Sequence, residues 1–165
     1  MTDPTLGKAR RTWFIQLSML GAAPIVLAAV ARFVSPHLVP DPSFARLHTL
    51  CMVMAAAEFL LGTVALFNAR RPARGQPAKP PGAMPALATP ARFLVASIVG
   101  MALFEAVSMN GFVLVFQGGD PAECMAWSGV SLVGLLGVAL PIGLGYWRDM
   151  EKAPRGPEGS PPPLG

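Results

Sequence analysis

The chain has 165 residues, 53% hydrophobic and only 13% charged, a balance too apolar for an ordinary soluble domain of this length. Its formal net charge of +4 does not mark a nucleic-acid binder, because the bases gather between apolar stretches and not along one helical face. Lipid is therefore the expected solvent: a hydrocarbon core ~30 Å thick needs roughly 20 apolar residues of helix, and stretches of that length recur along the chain.

Residues 1–12 form a basic N-terminal segment with Lys8, Arg10 and Arg11. The first span is expected over 13–34. A basic segment before an apolar run also opens a signal peptide, but an apolar core of such a peptide is about 7 to 15 residues long and this run is longer, so it reads as a retained span. A short connection with Pro36, Pro40 and Pro42 leads to the second span, 47–68. The loop 69–91 follows, an extended, solvated linker carrying Pro72, Pro77, Pro80, Pro81, Pro85 and Pro90. The third span covers 93–117, the link Gly-Gly-Asp-Pro-Ala-Glu covers 118–123, and the fourth span covers 125–147. The tail 153–165 is rich in proline and glycine and is expected to be disordered.

These segments are apolar on nearly every face, whereas a soluble bundle would show a polar stripe on each helix. The fold class is therefore all-α: an integral membrane protein built as an antiparallel four-helix transmembrane bundle, in which short links make the joined helices neighbours. Of the thirteen Lys and Arg residues, eleven precede the first span, lie between the second and third, or follow the fourth; only Arg32 and Arg46 fall on the other side. The positive-inside rule then places both termini and the long loop in the cytoplasm of a bacterial cell, with the spans in its inner membrane. Trp13, Tyr146 and Trp147 are expected to mark the cytoplasmic interface, and Trp127 the outer one.

Pro24 and Pro141 fall inside the first and fourth spans, where each frees a backbone carbonyl and kinks its helix. Small residues, Ala55, Ala56, Ala57, Ala102, Gly111 and the glycines Gly129, Gly134, Gly137, Gly143 and Gly145 of the fourth span, are expected at close helix contacts. Cys51 and Cys124 both lie toward the outer half. Their difference in depth strains any disulfide between them.

Two acids lie within the spans, Glu58 and Glu105, each near the centre of its own helix. Inserting a carboxylate at that depth costs a few kcal/mol even on a lenient scale, so such residues face a partner or a cavity and are functional candidates by default. If the second and third helices pack together, equal depth lets the two side chains meet. Two carboxylates in apolar surroundings do not both ionise cheaply, and a shared or carried proton near neutral pH is the expected chemistry. Ser108 lies one turn from Glu105, Asn110 on a different face, and no Lys or Arg offers a counter-ion. The opposing reading has both acids protonated and bonded to neighbouring helices as structural glue.

The third span, Ile98-Val99-Gly100-Met101-Ala102-Leu103-Phe104-Glu105-Ala106-Val107-Ser108-Met109-Asn110-Gly111-Phe112-Val113-Leu114-Val115-Phe116, resembles the carboxylate helix of rotary ATPase c subunits. In that family a Glu followed by Ala, and by Gly six positions on, carries the translocated ion; Glu105, Ala106 and Gly111 match. The resemblance is local. The second span lacks the glycine repeat of the inner c-ring helix, having only Gly62, and the fourth span carries no acid. The whole pattern is more similar to small bacterial four-helix membrane proteins that share this proteolipid-like segment, and the resemblance implies no more than a protonatable Glu105.

Sulfur offers another reading. Met101, Glu105 and Met109 are spaced by four, and Cys51, Met54 and Glu58 follow helical spacing, so Cys51, Met54 and Met109 form a soft donor set of the kind that suits Cu(I); unbranched Met also simply fills irregular helix contacts. His37 and His48 flank the first outer connection without a shared face. No nucleophile triad, phosphate loop, dinucleotide fingerprint or zinc spacing is present, so neither an enzyme nor a cofactor is expected. The sequence points to a small membrane protein handling a proton or cation at Glu105, Glu58 and Ser108 as an accessory subunit, its partners being the bilayer and other membrane subunits or further copies of itself. The alternative is a structural or assembly membrane protein without transport or catalysis.

Overall fold

The computed structural model describes residues 4–34, 44–71 and 87–152. The tail 153–165, the loop residues 72–86 and His37 lie outside the described residues. Among those described, the regular structure is helical: α1 (Pro4–Val34), α2 (Phe44–Ala69), α3 (Pro90–Phe116) and α4 (Pro121–Val133), the last running through a π-helical turn (Gly134–Ala139) into α5 (Leu140–Lys152). α4, the turn and α5 make one rod, Pro121–Lys152, and together with the first three helices they give four helices long and apolar enough to cross a membrane.

The helices overrun the apolar stretches at most of their ends. α1 begins at Pro4 where apolarity predicts residue 13, because polar residues in a terminal turn keep their backbone bonds while reaching into water. The starts of α3 and α4 are set by caps. Thr89 Oγ1 accepts from the Arg92 N–H, Asp120 Oδ1 accepts from the Ala122 N–H at 2.8 Å, and each cap is followed by a proline at the first helical position, where no amide donor is missed.

α3 is the central helix. It packs on α1, on α2 and on α4, and α1 also packs on α4. Sequence reasoning makes α1 and α2 neighbours because a short connection joins them; instead they share no extensive contact, and each packs on α3. The reason is steric. α2 and α3 cross at Gly62 and Gly100, where a Cβ on Gly62 would stand 2.9 Å from the Gly100 carbonyl oxygen, a closeness that in a membrane substitutes van der Waals contact for the absent hydrophobic drive.

One end of the molecule is closed by aromatic rings. Trp13, Phe93, Tyr146 and Trp147 are all buried; the Phe93 and Tyr146 rings stack 3.8 Å apart, and the Tyr146 hydroxyl donates to the Ala88 carbonyl at 2.7 Å. Trp13 lies against Gly143, where any Cβ would collide with the indole. Trp13, Tyr146 and Trp147, expected as interface markers, pack inward in one cluster with Phe93. Arg10 pairs with Glu151 and Arg70 with Asp149 around this end.

Pro141 explains the π-helical turn. Lacking an N–H, it has no donor to offer the Gly137 carbonyl and its ring crowds that oxygen, and the backbone widens by one residue just upstream, with the Leu140 N–H donating to the Leu135 carbonyl. Gly134 lies in this turn against the Phe104 ring of α3. Pro24, by contrast, sits buried in a helix that runs on without interruption. Of the small residues expected at contacts, Ala55, Gly111, Gly134 and Gly143 are buried, whereas Ala56, Ala57, Ala102 and Gly129 face outward.

Candidate functional site

Glu58 and Glu105 lie close to the midpoints of α2 and α3. They do not share a partner. The Asn110 amide of α3 donates to Glu58 Oε2 at 2.7 Å, so the residue that sequence reasoning sets aside as lying on another face is the one that holds the α2 acid. Glu105 stands five residues before Asn110, which at 3.6 residues per turn is about 140° around α3. The two acids therefore occupy opposite flanks of the central helix, and the shared proton expected from their equal depth has no geometry behind it.

Ser108 does not reach the Glu105 carboxyl either. It is fully buried, and its hydroxyl donates back along its own helix to the Glu105 carbonyl at 2.7 Å, the local bond that a serine makes when no better acceptor faces it. Among the described residues, no side chain hydrogen-bonds to the Glu105 carboxyl. It remains half-buried on the flank of α3, one helix position from Phe104, which is buried against the π-helical turn.

The residues of the soft donor set differ in burial. Cys51 is buried, and Met54 and Met109 are exposed. Both cysteines are free thiols, in keeping with the strain that their difference in depth imposes. Among the described residues no group of three or more His, Cys, Asp and Glu is placed to hold a metal ion.

Two features escape sequence reasoning. His48 Nε2 lies 3.7 Å from Glu123 Oε1, joining the first turns of α2 and α4. Next to that pair runs an apolar groove of about 610 Å³, walled by Met52, Ala56 and Leu60 of α2 and by Trp127 and Val130 of α4, with Val107 of α3 as its floor. The four-residue spacing from His48 to Met52 and from Glu123 to Trp127 was the available signal.

Compared with protein-family models, with curated proteins and with solved structures, the chain matches none.

Proposed function

We propose that this is a small inner-membrane protein whose four spans form an antiparallel bundle with both termini in the cytoplasm, and that Glu105 is a proton- or cation-binding group presented to a neighbouring subunit of a larger assembly. One observation carries the reading: a carboxyl near the middle of a span, on the flank of the central helix, to which no side chain among the described residues hydrogen-bonds. Such a group costs several kcal/mol in hydrocarbon unless something outside the bundle completes it. A proton neutralises it, and a cation or a polar group from another subunit pairs with it. Glu58 has a different role in this reading. Its bond to Asn110 makes it the adhesive between α2 and α3.

Infrared difference spectroscopy on the reconstituted protein tests the proposal. The carboxyl C=O band of wild type should titrate, Glu58→Gln should keep most of the titrating band, and Glu105→Gln should remove it. A Glu105→Gln spectrum identical to wild type removes the idea. The Glu58 bond also favours a second reading, an assembly protein whose acids only hold helices together; it predicts that Glu105→Leu leaves every pH-dependent signal intact and changes only stability or the retention of partners in mild detergent.

A further inference from the structure

We infer that the end of the molecule closed by the aromatic rings is a docking surface for anionic phospholipids, whose phosphates are met by arginines at the edge of the apolar spans. The inference rests on the four helices spanning a bilayer, and on no assignment of the side that this end faces. The end is one surface and not four separate helix tips. Trp13 of α1 and Trp147 of α5 both meet the Phe93 ring of α3, with ring centroids 6.5 and 5.5 Å apart. The chain just past α2 joins them through Arg70, whose carbonyl accepts from the Ala88 N–H and whose side chain pairs with Asp149.

The charges on this surface do not balance. Its described acids, Asp149 and Glu151, are already taken by Arg70 and Arg10. Lys8, Arg11, Arg71, Arg92, Arg148 and Lys152 remain, all exposed, and none of them makes an ion pair among the described residues. At the opposite end Arg32 and Arg46 stand against Asp120 and Glu123, so the described Lys, Arg, Asp and Glu charges there cancel. Like charges gathered on one end repel one another, and a facing layer of negative charge relieves that repulsion.

Depth selects the occupant. Arg92 adjoins Phe93, Arg148 adjoins Trp147, and Arg11 stands two residues from Trp13; those three rings are buried in the cluster. At 1.5 Å per residue, the three arginines leave their helices within about 3 Å of it. Lys8 and Lys152 lie five residues out from Trp13 and Trp147, about 7.5 Å along the axis. Arginine thus holds the level where apolar helix gives way to water, which is the level of lipid phosphates, and its planar fork takes two phosphate oxygens at once. A soluble acidic partner would approach from the water and reach the outer lysines first. A choline headgroup cancels its own phosphate, so a lipid of net negative charge is the one that relieves the surplus.

Electron paramagnetic resonance of chain-spin-labelled lipids tests the inference on the full chain reconstituted in phosphatidylcholine vesicles. The motionally restricted fraction is compared for labelled phosphatidylglycerol and labelled phosphatidylcholine. Phosphatidylglycerol should associate about fivefold more strongly, the effect of roughly one base at the headgroup surface, and the preference should fall toward unity in molar salt. Arg11→Gln, Arg92→Gln and Arg148→Gln combined should erase most of it. Lys8→Gln with Lys152→Gln should keep most of it, and Arg32→Gln with Arg46→Gln should leave it unchanged. Equal association of the two lipids with wild type overturns the inference and leaves this surface to an acidic protein. A preference lost in the lysine pair but kept in the arginine triple overturns the assignment of the phosphate contact to the arginines, and one lost with Arg32 and Arg46 overturns its placement. Protein that fails to float with the vesicles sinks the membrane reading instead.

Discussion

Asn110 decides what each of the two acids is for. Within a membrane an interhelical hydrogen bond contributes on average about 0.6 kcal/mol and at most about 1.7, and the Asn110 to Glu58 bond lies at a flank of the α2–α3 contact. Asn110→Leu and Glu58→Leu should each destabilise the bundle by about 1 kcal/mol, and the double substitution should cost little more than either alone. Unfolding in mixed micelles checks this; strictly additive losses would show that the two side chains do not act as a pair. Glu105→Leu should leave stability unchanged or raise it, since among the described residues no side chain bonds to its carboxyl. The acids themselves were legible in the sequence, because a carboxylate in an apolar run stands out by cost alone. Their partners were not. Whether Glu58 meets Glu105 or Asn110 depends on how α2 and α3 are rotated about their axes, and helices apolar on nearly every face carry no stripe from which to read that rotation.

At the level of the helix, Pro141 and Gly134 act together on the fourth rod. The proline widens the backbone and the glycine lets the widened turn come against Phe104. Gly134→Val would drive a side chain into that ring, where even a Cβ would stand 2.6 Å from it, and overpacking of this kind costs about 1 to 3 kcal/mol. Pro141→Ala should act at a distance. With an N–H restored, the Gly137 carbonyl regains a partner, the turn relaxes to α-helix, and Tyr146 and Trp147 rotate by about 100°, the angle of one residue. Both rings then leave the cluster with Trp13 and Phe93, so the variant's tryptophan emission should shift to the red. Emission unchanged from wild type would show that the turn is held by packing and not by the proline. A kink at Pro141 was readable from residue type; its π-helical form was not, because the spare residue is accommodated by contacts with α2 and α3 that no local pattern records.

For the molecule as a whole, helix number and charge placement make a joint prediction about topology. Four crossings would return the chain to the side on which it started, and the eleven of thirteen Lys and Arg residues that lie before the first, between the second and third, or after the fourth of the membrane-long helices would then share that side. The spans were legible because length and apolarity alone define them; the order in which they pack was not, since α1 and α2 look like hairpin partners in sequence and instead lie against α3. Topology is independent of that order and can be tested separately. Cys51 and Cys124 are buried free thiols, so a membrane-impermeant maleimide should find neither in the folded protein, and the native chain supplies its own blank. Ser160→Cys in the tail should then label only when the cytoplasmic side is opened, as should Thr2→Cys at the other terminus, and the two should always agree. Labelling of both from intact cells would invert the orientation and carry the His48–Glu123 pair to the cytoplasmic side. Labelling of one terminus from each side would require an odd number of crossings, which four membrane-long helices do not permit.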